Sequence, residues 1–429
     1  MKLALKPQKP NKLLNFETLD MQTHTTKAAP RSRTLRKTLQ GGFLALLFLL
    51  PASAVFGQVA GDYRTRAAGN WDSNTTWQKY NGSAWGNCTT GDYPGASTGA
   101  GVVTIRNGHN VTLNVSPANS IGSLVIAIGT TATALTFGAA YTLSVSGDVG
   151  ITSNTKNIAK SIAINTGTLN CNNLNLSSSG GTASTDAFVV LTSGTLNAAG
   201  NISMNAAAEN TYIRFSGGGT VNVQGTITGG GITSNAGGGA GAPTSGTVNY
   251  NSSSSQSIGA YTYYNLTSSG GGTKTLSGNV TVNNILNLSS GNISLGSSNY
   301  NLTLASGGSV TGSFDANHMI VCDGTGSFIK QGTAASNFVM VYPVGTGARY
   351  TPFEITSLTA TVTGTGSVSV RAVAGTASGP PSANSTDLQK YWIVGTTNLT
   401  VSSADLEMTY IDPDEVGTGG DQSSYVPHV

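Results

Sequence analysis

The fold of this chain is decided by a motif that occurs as Gly167-Thr168-Leu169-Asn170, Gly194-Thr195-Leu196-Asn197, Gly219-Thr220-Val221-Asn222 and Gly246-Thr247-Val248-Asn249. Successive copies begin 27, 25 and 27 residues apart. A fixed period of about 20–50 residues is typical of a solenoid, in which each repeat forms one turn of the stack. A turn of a parallel β-helix needs two or three short strands with their connections, which fits this period.

Alternation of apolar and polar residues within the motif predicts which side chains face the core. The apolar positions are expected to stack as an inward ladder of Leu169, Leu196, Val221 and Val248. The asparagines Asn170, Asn197, Asn222 and Asn249 are predicted to lie at a corner, where their amides bond along the stack. A string of β-sandwiches would also give short strands with turns, and it is the alternative architecture.

The predicted fold class is all-β, a right-handed parallel β-helix between two different end regions. We expect a signal peptide over 1–57, an aromatic N-terminal cap over 58–99, the β-helix over 100–334 and an antiparallel β-sandwich over 335–429. The text near residue 335 changes to longer apolar strands, and this change motivates the sandwich. No clear closing element follows them, so we expect the chain to be a fragment of a larger protein.

Composition agrees with an extracellular β-protein. Only 9% of the 429 residues are charged, and 57 are glycine, whereas soluble domains average about 25% charged residues and about 7% glycine. Nine of the 21 basic residues precede residue 41, and beyond residue 57 the chain carries 12 basic and 16 acidic residues. The folded part is therefore mildly acidic, and we expect no nucleic-acid partner.

Residues 42–50 form a short apolar run that follows basic residues and precedes Pro51 and small residues. This order is that of a secretory signal peptide, and Met21 is an alternative start of the chain. The run is too short to span a bilayer, so no membrane-spanning segment is expected after the signal is removed. The predicted location is secreted or on the outer cell surface.

Three stretches resemble known proteins. Residues 61–72 and 76–85, with their Gly-Asn-Trp-Asp and Tyr-Asn-Gly-Ser-Ala-Trp segments, resemble the opening of large secreted surface proteins of Gram-negative bacteria that use type IX secretion. Residues 103–113 are similar to the core of the eight-glycine extracellular domain, and 391–410 to a segment that precedes the sorting domain. The resemblance implies an adhesin-like surface protein, although the sorting domain itself is not visible in this sequence.

Aromatic residues concentrate in the predicted cap. Their rings could stack on sugar rings of an extracellular polysaccharide or of a host or cell surface. Equally, they could cover the open strand edge at the end of the solenoid. The candidate ligand-binding residues are Trp71, Trp77, Tyr80, Trp85 and Tyr93.

One acidic group, Asp412, Asp414 and Glu415, could supply oxygen ligands to a calcium ion, and a solvated turn is the alternative. No other cofactor is expected. The three cysteines are far apart and lack zinc spacing, although one long-range disulfide is an alternative to isolated thiols.

No catalytic residue is predicted, and we expect a non-enzymatic protein that works in adhesion or in glycan and matrix binding. A β-helix polysaccharide lyase or glycoside hydrolase is the first alternative, with Asp315 and Asp323 as its candidate acids. A purely structural stalk is the second. Outward Ser, Thr and Asn ladders could also bind ice, but the threonine spacing in the sequence is too irregular to favour it.

Overall fold

The computed structural model describes residues 57–155, 158–179, 186–236, 238, 241–347, 349–377 and 388–410. Over these residues the chain is all-β and forms a right-handed parallel β-solenoid of about 9 turns, which confirms the predicted fold class. Its described helix is the short 3-10 segment Ala335–Phe338. The predicted export segment up to residue 56 and the acidic group Asp412, Asp414 and Glu415 lie outside the described residues.

The strands form four sheets, named A to D. Sheet A contains Tyr63–Thr65, Trp77–Tyr80, Trp85–Asn87, Val102–Ile105, Ser123–Ile126, Val149–Ser153, Leu174–Ser178, Ile202–Met204 and Ile227–Gly229. Sheet B contains Gly69–Asn70, Val111–Leu113, Thr133–Phe137, Lys160–Ile164, Ala187–Leu191, Thr211–Phe215 and Gly231–Thr233. Sheet C contains Thr142–Ser144, Thr168–Cys171, Thr195–Ala198, Thr220–Val223, Thr247–Tyr250, Thr262–Ser268, Val280–Leu288, Leu302–Leu304, Ser309–Gly312, Phe328–Gly332, Val341–Tyr342, Phe353–Ala374 and Lys390–Met408. Sheet D contains Gln256–Ile258, Lys274–Leu276, Ile293–Ser294, Ile320–Val321, Val344–Thr346 and Arg349–Tyr350.

The cross-section of the solenoid changes part-way along its axis. Turns between Val149 and Tyr250 pass through sheets A, B and C in order, whereas the turns after Gln256 pass only through D and C. Residues aligned on neighbouring turns are 25 and 27 residues apart at Thr195, Thr220 and Thr247. They are only 18 and 19 residues apart at Gln256, Lys274 and Ile293. The turns shorten because one of their three strands is lost.

The repeated motif places each of its residue types in a different environment. The predicted inward ladder is confirmed: Leu169, Leu196 and Val221 are 0% exposed and Val248 is 2% exposed, and they align on successive turns of sheet C. The motif glycine occupies the corner, where a Cβ on Gly194 would lie 2.7 Å from the carbonyl oxygen of Gly167. Only a residue without a side chain fits such a close approach.

The predicted corner position of the asparagines is wrong. Asn170, Asn197 and Asn222 lie within strands, and they are outward-facing and half-buried. Their predicted bonding along the stack does occur, because Nδ2 of Asn197 donates to Oδ1 of Asn170 at 2.8 Å. Nδ2 of Asn222 donates in turn to Oδ1 of Asn197 at 2.8 Å. The corner needs a glycine, so the asparagines stand two residues beyond the threonine-side corner on the sheet face.

The C-terminal region is continuous with the solenoid. Val344–Thr346 still pairs in parallel with Ile320–Val321, beyond the predicted end of the β-helix at residue 334. The long strands Phe353–Ala374 and Lys390–Met408 pair with each other, and Phe353–Ala374 adds antiparallel to Phe328–Gly332 of sheet C. Among the described residues this ribbon extends sheet C, and a separate sandwich is not seen.

Three lysines point into the solenoid instead of into solvent. Lys160 and Lys274 are 0% exposed and Lys330 is 3% exposed. The ammonium group of Lys330 donates to the carbonyl oxygens of Ala305, Ser306 and Gly308 at 2.7, 2.9 and 2.8 Å. These lysines therefore act as hydrogen-bond donors to the chain turns of the neighbouring rung.

Candidate functional site

Two of the five predicted ligand-binding aromatic residues are in the core. Trp71 and Trp77 are both 0% exposed, and their rings meet edge to face with centroids 4.9 Å apart. The indole of Trp71 donates to the carbonyl of Pro94 at 2.9 Å, and that of Trp77 donates to the carbonyl of Trp71 at 2.6 Å. A sugar-stacking surface cannot include these two rings, and this part of the prediction is corrected.

Two other predicted residues remain accessible on a short antiparallel hairpin. Tyr80 and Trp85 are half-buried, stand directly opposite each other on neighbouring strands, and have ring centroids 5.3 Å apart. The guanidinium carbon of Arg64 lies 4.3 Å from the centre of the Trp85 ring. Cation–π contact therefore fixes the indole from one side.

Polar groups complete this surface. Nε of Arg64 donates to Oε1 of Gln78 at 2.9 Å, and Nε2 of Gln78 donates to Oδ1 of Asn87 at 3.2 Å. We call the residues Arg64, Gln78, Tyr80, Trp85 and Asn87 the hairpin face. Because the outermost strand of sheet A, Trp85–Asn87, carries two of them, the face lies at one end of that sheet.

Tyr93 lies apart from the hairpin face. It is half-buried and packs against the main apolar cluster. Its neighbour Asp92 accepts a hydrogen bond from the Tyr63 hydroxyl at 2.6 Å and pairs with Lys79 at 3.3 Å. This loop is held by polar contacts, and Tyr93 covers core instead of extending the hairpin face.

The acids of the enzyme alternative occupy a loop and a strand end. Asp315 precedes the strand Ile320–Val321, and Asp323 follows it. Oδ1 of Asp315 lies 2.7 Å from Nδ1 of His318 and accepts the amide of Asn317 at 2.7 Å. These bonds lower the pKa of Asp315, the Asn317 amide most strongly. A carboxyl that stays ionised is poorly suited to the proton donation that glycoside hydrolysis requires.

Asp323 accepts a hydrogen bond from the hydroxyl of Ser294. Its carboxylate is thereby tied to the neighbouring turn of sheet D. The described residues contain no group of three or more His, Cys, Asp and Glu side chains arranged to hold a metal ion.

A second acid, which sequence reasoning did not single out for a role, lies on the outside of sheet B. Burial raises the pKa of Asp186, although a hydrogen bond of 3.2 Å from the Tyr212 hydroxyl opposes the shift. The Tyr212 ring stacks on Phe188 at 4.8 Å, with Arg214 above Phe188 at 5.7 Å. An alignment of strands is needed to bring these residues together, so linear spacing gives no signal for the cluster.

A cleft of about 390 Å³ opens where sheet A ends and sheet D begins. Its walls include Thr228 and Gly229 on one side and Tyr261 and Ser277 on the other. The side-chain amide of Gln256 bridges the gap by donating to the carbonyls of Val223 and Gly225 at 2.7 and 2.5 Å. The cleft exists because the shorter turns leave the last turn of sheet A overhanging.

The cysteines Cys88, Cys171 and Cys322 are free and buried. Burial raises the pKa of the Cys171 thiol to about 12 and those of Cys88 and Cys322 to about 11. A thiol that keeps its proton is a poor nucleophile and metal ligand. The isolated-thiol interpretation therefore describes these three residues.

No helix among the described residues is long and apolar enough to cross a membrane. No protein-family profile, curated protein or solved structure matches the chain. Functional inference accordingly depends on the geometry of the hairpin face and of the solenoid surface.

Proposed function

We propose that this chain is a secreted, non-enzymatic surface protein that adheres to an extracellular polysaccharide through the hairpin face. The observation that carries the proposal is the half-buried pair Tyr80 and Trp85 with Arg64 against the indole. Sugar rings present apolar C–H faces and a rim of hydroxyls. An aromatic surface bordered by amide and guanidinium groups suits both parts.

The rigidity of the hairpin face supports this function. Arg64, Gln78 and Asn87 are linked by successive hydrogen bonds, and the Tyr80 and Trp85 strands are paired. A ligand that binds a preorganised surface loses less free energy to ordering of side chains. The solenoid would hold this surface at the end of a stiff support.

Secretion and a surface location are part of the proposal and rest on the apolar run 42–50 after basic residues. The link to type IX secretion rests on the resemblance of residues 61–85 and 391–410. A calcium ion at Asp412, Asp414 and Glu415 remains a proposal from composition alone.

A structural stalk is the second candidate function. The burial of Trp71 and Trp77 favours it, since these rings join the same apolar cluster as the first turns of the solenoid. In that case the hairpin face would only close the end of sheet A, and the polysaccharide-binding role would be absent.

Replacing Trp85 by alanine is expected to weaken polysaccharide retention about tenfold, a loss of about 1.4 kcal/mol in binding free energy. The measurement is affinity electrophoresis or pull-down of the protein with a panel of soluble and insoluble neutral polysaccharides. Tyr300→Ala is the matched control, because it removes a half-buried ring far along the chain.

Unchanged retention of Trp85→Ala, or no retention of the unmodified protein, would remove the binding role and leave the stalk. Release of new reducing or unsaturated ends would instead support the enzyme alternative. In that case Asp186, Asp315 and Asp323 become the residues to substitute.

A further inference from the structure

The outer surface of sheet C carries two columns of small polar side chains that run along the solenoid axis. Within each strand the two columns are separated by one inward residue, so both face outward and are half-buried. We call these residues the Thr/Asn face. The first column is Thr142, Thr168, Thr195, Thr220 and Thr247, and the second is Ser144, Asn170, Asn197, Asn222 and Asn249.

Pairing in register makes the Thr/Asn face a two-dimensional array. Neighbouring turns are about 4.8 Å apart, and alternate residues of one strand are about 6.6 Å apart. Five aligned turns therefore extend for about 19 Å along the axis. The expectation that the threonines are too irregular for ice is wrong, since Thr142 belongs to the column although its strand lacks the repeated motif.

Side chains in both columns are held in place. Each threonine is branched at Cβ and has few rotamers. Nδ2 of Asn249 donates to Oδ1 of Asn222 at 2.9 Å, which continues the chain of amides from Asn170. Each amide in this chain keeps a second N–H and a second lone pair for an outside partner.

The threonine hydroxyls face outward with their hydrogen-bonding capacity unused. Among the described residues, the hydroxyls of Thr168, Thr195 and Thr220 have no hydrogen-bond partner in the protein. A regular set of fixed donors and acceptors can therefore order a layer of water molecules, at little entropic cost to the protein.

We propose that the Thr/Asn face binds the surface of ice crystals. The proposal is independent of the hairpin face and of polysaccharide binding. The absence of aromatic side chains from the ten residues of the face disfavours sugar stacking. The absence of charge matches an uncharged lattice of water. The regularity in two directions suits a crystal plane more closely than a single polymer chain.

Ice binding is tested with the full-length protein by ice recrystallisation inhibition, thermal hysteresis and adsorption of the dye-labelled protein to a single ice crystal. The unmodified protein is expected to inhibit recrystallisation and to stain defined crystal planes. Thr195→Lys places a long charged side chain in the middle of the array, and we expect at least a tenfold loss of inhibition. The control is Ser203→Lys, which makes the same change on the outer side of sheet A.

Retained activity in Ser203→Lys together with its loss in Thr195→Lys would support the proposal, provided that both variants keep the thermal midpoint of the unmodified protein. Lack of ice activity in the unmodified protein would overturn it, as would equal losses in the two variants. Loss of polysaccharide retention in Thr195→Lys would also overturn it, because the face would then bind glycan. Retention that depends on Trp85 alone leaves the two proposals separate.

Discussion

Replacing Leu196 by alanine is expected to lower the free energy of unfolding by about 3 kcal/mol. Leu196 is 0% exposed and lies between Leu169 and Val221 in the inward ladder. Truncation would remove apolar contacts on both sides and leave a cavity, since turns fixed by main-chain hydrogen bonds cannot move together to fill it. Urea unfolding followed by far-ultraviolet circular dichroism measures the loss.

Thr195→Ala is the matched control for this prediction, because Thr195 is the preceding residue of the same strand and faces outward. We expect its free energy of unfolding to change by no more than about 0.5 kcal/mol. Similar losses at the two positions would mean that the strand does not have one buried and one exposed side.

Lys330→Met is expected to destabilise the protein by about 2 kcal/mol at pH 7, because it leaves three carbonyl oxygens without their ammonium donor. The effect should depend on pH. Burial lowers the pKa of Lys330 from 10.5 to about 8. Between these values the unfolded chain binds more protons than the folded chain, so stability of the unmodified protein rises with pH.

The difference between the unmodified protein and Lys330→Met should therefore grow by about 2 kcal/mol from pH 7 to pH 9.5. Urea titrations at intervals across this range measure it. Lys79→Met controls for the loss of one positive charge, since Lys79 pairs with Asp92 near the surface. A difference that stays constant or shrinks with pH would contradict the buried, desolvated position of Lys330.

The motif period and the alternation of residue types were enough to predict a parallel solenoid and its inward Leu and Val ladder. Sequence pattern could not assign the corner, because both Gly and Asn tolerate turn conformations. The deciding fact is steric: a Cβ on Gly194 would meet the main chain of the turn before it. The narrowing after Tyr250 was also missed, because weaker echoes of the motif do not reveal the number of strands in each turn.

The candidate site was predicted in part for a similar reason. Aromatic composition located the N-terminal hairpin, but it could not separate the buried Trp71 and Trp77 from the accessible Tyr80 and Trp85. That separation depends on which face of a strand each ring occupies. The Thr/Asn face depends on register between turns, and the contribution of Thr142 becomes visible only when the strands are aligned.

The central claim is that successive turns stack in register, and distances between spin labels along one column test it most directly. Asn170→Cys is paired in turn with Thr267→Cys, Asn287→Cys and Thr311→Cys, which lie on later turns of sheet C in the same column. The native cysteines are buried and free, so brief labelling near neutral pH is expected to favour the introduced thiols. Pulsed electron paramagnetic resonance should give distances near 19, 24 and 29 Å, increasing by about 4.8 Å per turn. Distances that do not rise by a constant increment would contradict the stacked solenoid and both faces proposed on it.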